Sequence, residues 1–357
     1  MRRSSSRQAR TLAALVPAVL LIGTVASERP LYAEPAPTAP KALTAPRSGL
    51  LVVAPGAGLQ GAVVVFTRPS GTERFRLLPY GNEFRGGIRV AVGDVNGDGS
   101  PDVVTAPGRG SSEVRIFDGA TGLPLSAFFA YDPAFKGGVF VAAGDVDGDG
   151  KADIITGVGG GKGGPHVKVF SGSDGSVLRS FLAYEAAFRG GVRVAAGDVN
   201  GDGAADIITG PGKGKEGPHV KVFNGTTLAL LADFYPFDPA AKNGVFVAAG
   251  DVDGDGTPDV VTGPERDGDP HVRAFSATGV PLASFFAYDR TFRSGVRVAA
   301  GDIDGDGRAE VLSAPGKGKL GPRIRIFDAA TNGTSPGGEI VPFDPTFTGG
   351  VFVAAGN

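Results

Sequence analysis

The chain contains no cysteine and no tryptophan, and only three histidines and one methionine among its 357 residues. Without cysteine there is no disulfide, no thiolate zinc site, no cysteine nucleophile and no lipid-modified N-terminal cysteine. Three histidines leave little for imidazole chemistry. A net charge of −2 argues against a nucleic-acid partner. No sustained helical period runs through residues 49–357. Glycine, by contrast, is abundant: 59 residues, about 17% against a usual level near 7%. Proline adds 27, yet 41% of the chain is hydrophobic and 23 residues are phenylalanine, enough for a packed core. Glycine must therefore punctuate short, regularly spaced elements.

Residues 1–33 read as an export signal. Arg2, Arg3, Arg7 and Arg10 form the positive end, Thr11 to Ala26 the apolar stretch, and small residues then permit cleavage after residue 27 or residue 33. Pro17 and Gly23 interrupt the apolar stretch, which is short for a membrane span. No other apolar run approaches membrane length, so the mature chain is expected to have no span and to be secreted, periplasmic or held at the cell surface. Residues 34–48 are Pro/Ala-rich and read as a flexible or polyproline-like leader.

The remainder, 49–357, is a repeat. VAAGDVDGDGKADIITG at 141–157 recurs four times with small changes, its leading aspartate falling at Asp94, Asp145, Asp198, Asp251 and Asp302, at intervals of 51, 53, 53 and 51. Each interval carries three further short β-branched or aromatic runs bounded by Gly, Pro and Asp, the signature of strands. Four strands per unit at this period predict an all-β fold, a β-propeller of four-stranded antiparallel blades. The ends predict closure. Residues 50–80 match the second, third and fourth strands of a unit but lack the first, and residues 351–356 supply a first strand alone. Pairing them three plus one buries both sheet edges and gives six blades.

A second regularity agrees. The residue preceding each VAAG or VAVG by one position alternates Arg89, Phe140, Arg193, Phe246, Arg297, Phe352. A two-unit alternation closes without mismatch only in an even ring. Arg–aromatic stacking between neighbouring first strands is one reason for it; duplication of a two-blade unit is another.

The loop Asp-x-(Asp/Asn)-Gly-Asp-Gly-x-x-(Asp/Glu) occurs five times. Positions one, three, five and nine offer side-chain oxygens and position seven a backbone carbonyl, and glycine at six permits a sharp turn, which is what calcium requires. The candidate ligands are Asp94, Asn96, Asp98, Ser100 and Asp102; Asp145, Asp147, Asp149, Lys151 and Asp153; Asp198, Asn200, Asp202, Ala204 and Asp206; Asp251, Asp253, Asp255, Thr257 and Asp259; Asp302, Asp304, Asp306, Arg308 and Glu310. Removing residues 1–33 would leave 36 acidic residues, and 18 of them sit in these loops. Carboxylates so crowded repel unless a cation or proton intervenes. About five calcium sites are expected. Solvated acidic turns would explain the glycines and aspartates, but not why the oxygen-bearing positions repeat while the second, seventh and eighth vary.

These loops, the preceding FKGG (135–138) and FTGG (347–350), and the following TAPG (105–108) and SAPG (313–316) resemble FG-GAP/VCBS repeats. The resemblance implies a calcium-binding propeller of the integrin α-subunit type, with calcium in the hairpin between a blade's first and second strands. Integrin-type propellers usually have seven blades, and no adhesive or membrane-spanning tail follows here, so the resemblance speaks to fold and metal sites more than to partners.

Alternate connections of a four-stranded blade emerge on opposite faces of the ring. The face away from the acidic loops is expected to collect Gly-rich basic loops with Arg109, Lys162, Lys213, Lys215, Lys317 and Lys319, edged by Phe84, Phe135, Phe188 and Phe292. This suggests a protein or polysaccharide ligand of anionic character; the plain alternative is that the phenylalanines staple blades and the lysines keep loops soluble. His166, His219 and His271 read as ordinary third-strand residues. The expected function is that of a secreted, non-enzymatic recognition or adhesion module. A calcium-dependent polysaccharide lyase or hydrolase on the same scaffold, or a structural envelope component, are the alternatives. Nearly every distinctive residue belongs to the repeat, whereas an active site breaks repeat symmetry; the odd copies, ERDGD at 265–269 and TNGTSPGG at 331–338, assemble no acid–base pair.

Overall fold

The computed structural model describes residues 33–35, 49–68, 71–161, 163–333 and 336–356. Apart from residue 33, the export signal lies outside the described residues, and so does the leader apart from 34–35, Ala33–Pro35 forming a short strand antiparallel to Thr72–Leu77. Among the described residues no helix is long and apolar enough to cross a membrane.

Short runs of β-branched residues between glycines cannot sustain a helix, and among the described residues they form 24 further strands in six antiparallel sheets. Blade 1 is Ile88–Gly93, Asp102–Pro107, Glu113–Phe117 and Pro124–Phe129, in that spatial order. Blades 2 to 5 repeat it over 139–182, 192–234, 245–286 and 296–340. The sixth blade is composite. Val351–Gly356 pairs with Leu50–Pro55 in the register Leu50↔Gly356 to Pro55↔Val351, followed by Val63–Thr67 and Thr72–Leu77. The expected six-bladed ring with three-plus-one closure is therefore present.

Burial follows position. The second strand of every blade is buried along its whole length, because a neighbouring blade covers each of its faces. Third strands alternate, as in His166–Phe170, and fourth strands such as Pro124–Phe129 lie mostly exposed at the rim. First strands touch one another around the axis, each flanked by two others. Their glycines matter here. A Cβ on Gly93 would come within 2.8 Å of the Cβ atoms of Ala143 and Ala152 in the next blade, so only glycine permits this approach. The core is accordingly six clusters, one per blade–blade interface. The two beside the composite blade, around Val52 with Val103 and around Val353 with Leu312, are of the same kind as the rest.

Candidate metal centres

The acidic loops join first to second strands and fold on their own amides. Glycines at positions four and six take positive φ, as at Gly97 (77°) and Gly99 (84°), which turns consecutive N–H groups inward. Asp94 accepts the amides of Gly97 (2.8 Å) and Asp98 (3.1 Å) on Oδ1 and of Gly99 (2.8 Å) on Oδ2. Asp145, Asp198 and Asp251 repeat all three bonds. The carboxylate at position five accepts the amide at position seven in all five loops: Ser100, Lys151, Ala204, Thr257 and Arg308.

This folding gathers carboxylates. In three loops one oxygen from each of three aspartates lies within 4.8 Å of the others: Asp145, Asp147 and Asp153; Asp251, Asp253 and Asp255; Asp302, Asp304 and Asp306. The other two loops carry asparagine at position three, and its Nδ2 donates to position five, Asn96 to Asp98 at 2.9 Å and Asn200 to Asp202 at 3.0 Å. A donor set made only of oxygens, arriving from alternate residues, fits a hard divalent cation and not a soft one.

The acid at position nine begins the second strand and is buried: Asp102, Asp153, Asp206, Asp259 and Glu310. Asp102 accepts the amides of Val95 (3.0 Å), Asn96 (3.2 Å) and Gly119 (3.2 Å), tying the acidic loop to the turn between the third and fourth strands. The two connections thus share one face of the ring, as the strand order requires. Loss of water pushes the carboxyls of Asp102, Asp153 and Asp206 up to about 6, and those of Asp259 and Glu310 up to about 7, against the opposite pull of the amides. A cation at the loop apex would draw them down again, the electrostatic response expected of its ligands.

The loops also strap blade to blade. The amide at position eight donates to the position-one carbonyl of the preceding blade: Ala152 to Asp94 (2.7 Å), Ala205 to Asp145 (2.6 Å) and Ala309 to Asp251 (2.6 Å). Pro258 has no N–H, so the strap from Asp198 cannot form.

The opposite face collects the Gly-rich loops. Gly108 N donates to Gly87 O (2.7 Å) and Gly110 N to Lys136 O (2.9 Å) on the next blade's link. Arg109, Lys213, Lys215, Lys317 and Lys319 are exposed there, and Lys162 lies outside the described residues. A cavity of about 510 Å³ is lined by Arg297, Lys317 and Lys319 with Glu265, and one of about 550 Å³ by Phe188, Lys213 and Lys215 with Glu216. The link phenylalanines also pack on tyrosines of their own links, Phe84 on Tyr80 at 5.1 Å, Phe188 on Tyr184 at 5.8 Å and Phe292 on Tyr288 at 5.3 Å, and against the clusters between adjacent blades, as a staple would.

The arginine–phenylalanine alternation forms one crown around the axis on this face. Arg89 lies 3.5 Å over the Phe140 ring, Arg193 lies 4.8 Å from Phe140 and 5.4 Å from Phe246, and Arg297 lies 3.8 Å from Phe352. Below it the channel is lined by valine and alanine from all six first strands.

Two sets of residues escaped the sequence reading. Tyr131 donates to Thr156 O and His166 O, both at 3.0 Å, Tyr80 and Tyr288 bond two carbonyls of the next blade in the same way, and Tyr184 bonds His219 O and the Thr209 hydroxyl. An aromatic recurring through Tyr80, Tyr131, Tyr184, Phe237, Tyr288 and Phe343 was the available signal. The second is Glu265, noted in the sequence only as part of an odd copy and not for its role; it stands where other blades have glycine, at Gly108, Gly212 and Gly316. It pairs with Arg193 and accepts the Lys213 amide at 2.9 Å. His166 and His271 begin third strands, bonding serine hydroxyls of the fourth strand at 2.8 Å and 2.7 Å, and His219 immediately precedes the third strand Val220–Phe223.

A closed six-bladed propeller with acidic first hairpins defines the class. Residues 94–156 and 251–313 match the FG-GAP-like repeat, and residues 137–178 match the FG-GAP repeat. These matches and the six-bladed ring together support an FG-GAP repeat propeller. Its structure is similar to that of a protein of unknown function from Bacteroides caccae, with a TM-score of 0.51 at 13% identity over 86% of this chain and 99% of that one. That likeness is one of fold alone. The designed Ika8 protein aligns at a TM-score of 0.40 and 19% identity, over 84% of this chain and 73% of that one.

Proposed function

We propose that this is an exported, calcium-stabilised recognition module whose ligand docks on the face formed by the Gly-rich basic loops. FG-GAP propellers serve in general as recognition or adhesion modules, and their repeats are often calcium-binding. The observation that carries the reading is segregation of charge: the acidic hairpins stand on one face, and Arg109, Lys213, Lys215, Lys317 and Lys319 on the other. The first face suits a cation and the second an anionic protein or polysaccharide.

Calcium would be held by positions one, three, five and nine of each loop with the carbonyl at seven, supplying charge neutralisation at the apices. The chain's own residues do the rest. Position one pre-folds the loop on its amides, position nine anchors it to the second strand, and the amide at position eight, where it is not proline, ties the loop to the preceding blade. Export and metal loading agree, since extracellular modules bind calcium at roughly 0.1–1 mM.

A glycan array and a panel of surface proteins, probed with and without calcium, test the reading. Retained ligands are expected to be anionic and to be lost by Lys213→Glu, Lys215→Glu, Lys317→Glu and Lys319→Glu together. Capture that survives this reversal overturns the assignment of the face.

A further inference from the structure

We propose that the axial mouth on the Gly-loop face is a binding site for a compact oxyanion, a carboxylate, sulfate or phosphate group, seated on Arg89, Arg193 and Arg297. The inference deepens the reading of this face by naming the group that anchors a ligand there, but it stands on separate observations.

The three arginines occupy one register position on alternate first strands, opposite Ala106, Gly210 and Ala314 respectively. Phe140, Phe246 and Phe352 separate them and hold them apart. Such an arrangement sets three guanidinium groups around one axis, and planar forks of this kind suit a multidentate oxyanion; Nη1 of Arg193 donates to Gly190 O and Nη1 of Arg297 to Pro315 O and Val351 O, whereas Arg89 has no such partner for its Nη1. The charge is left unbalanced. The one ion pair in the crown among the described residues joins Arg193 to Glu265. Both oxygens of that carboxylate are engaged, since the second takes the Lys213 amide.

Donors remain unused as well. Nε and Nη1 of Arg89 are buried with no hydrogen-bond partner, and so is Nε of Arg193 and of Arg297. Arg193 is only 6% exposed. Orphaned buried donors on a cation carry a desolvation cost, which a structure ordinarily relieves with a partner. Burial first, then the like charges of Arg193 and Arg297, hold Arg89 well below the usual guanidinium range, so the crown is electrostatically unsatisfied as it stands. A way in exists: the cavity of about 510 Å³ is lined by Arg297, Phe246 and Glu265 and ringed by Lys317, Lys319 and Arg293. Beneath the crown the axial channel is walled by valine and alanine, which keeps the local dielectric low and strengthens attraction for an anion.

Glu265 gives the site a built-in competitor. Among the blades it alone replaces the loop glycine with an acid, and it neutralises one arginine in three. A guest anion is therefore expected to engage Arg89 and Arg297 foremost.

The test is titration calorimetry of the full chain with sodium sulfate and, separately, with glucuronate, at constant ionic strength set by chloride. The first probe is a free oxyanion and the second the same chemistry carried on a sugar. One anion per chain is expected for at least one of them. Arg89→Met, which keeps the contact with Phe140, is expected to weaken binding at least tenfold and to melt no lower than the parent when no anion is present. Glu265→Gln, which removes the competitor, is expected to tighten binding about tenfold. Neither probe binding, or binding unchanged in both variants, overturns the proposal. Because the probes need no macromolecular ligand, failure of the lysine reversal leaves this test intact, and failure here leaves that one intact.

Discussion

Ring closure can be locked covalently, and the absence of native cysteine makes the experiment clean. Val52 and Ala354 face each other across the joint between the N-terminal and C-terminal strands, and both point into the same core cluster. Antiparallel partners have Cα atoms about 4.5–5.5 Å apart, inside the range a disulfide spans. A Val52→Cys, Ala354→Cys protein should therefore oxidise without rearrangement. The loop it closes is roughly 300 residues long, for which the chain-entropy relation gives about 5–6 kcal/mol. Val52 is fully buried, and shortening it costs about 1 kcal/mol. Engineered bridges also deliver less than theory, so a net gain of about 3–4 kcal/mol is expected. At roughly 2 °C per kcal/mol for a domain of this size, the melting temperature should rise by about 6–8 °C on oxidation and fall back on reduction. Calorimetry with and without reductant, beside thiol titration of the folded protein, reads both. Free thiols in the native state, or an oxidised form that melts no higher than the reduced one, would refute the three-plus-one joint.

Further expectations follow from the same contacts. Tenfold saturation adds about 1.4 kcal/mol per site by mass action, so five independent sites add about 7 kcal/mol, and chelation with EDTA should lower the melting temperature by about 10 °C or more; an unchanged melt would remove calcium from the account. Asp147→Ala deletes one carboxylate that accepts the Asp149 amide at 3.2 Å, so it should fold normally, melt no lower than the parent in EDTA, and lose about one site's share of the calcium stabilisation. Tyr131→Phe removes the hydroxyl that bonds Thr156 O and His166 O and should cost about 1 kcal/mol in denaturant melts, a modest loss because Phe237 and Phe343 stand at equivalent places in other blades.

Much of this architecture was legible because it is periodic. The Asp94-to-Asp302 series fixed the blade period, and the mismatch in phase between residues 50–80 and 351–356 fixed the joint, since a strand missing at one end reappeared at the other. The Arg–Phe alternation likewise announced stacking that the crown contains. What escaped is what periodicity does not encode. The Tyr131 hydroxyl bonds carbonyls of the next blade, and a carbonyl leaves no mark in sequence. Position eight varied between alanine and proline, and only the fold exposes its amide as a strap that Pro258 cannot make. Glu265 stood out as irregular, but its partner Arg193 lies 72 residues away on the preceding blade, a distance only the ring closes. The link phenylalanines fit a ligand edge and a blade staple equally well on paper; the structure adds their packing against the blade–blade clusters, with Phe188 lining a cavity as well.

The most direct measurement is the number of calcium ions bound per chain, counted by metal analysis of the dialysed protein and by calorimetric titration of the chelated one. Five ions, falling to four in Asp147→Ala, is the result the acidic hairpins predict. A chain that takes up no calcium at millimolar concentration, while keeping its fold and its melting temperature, would contradict the account at its root.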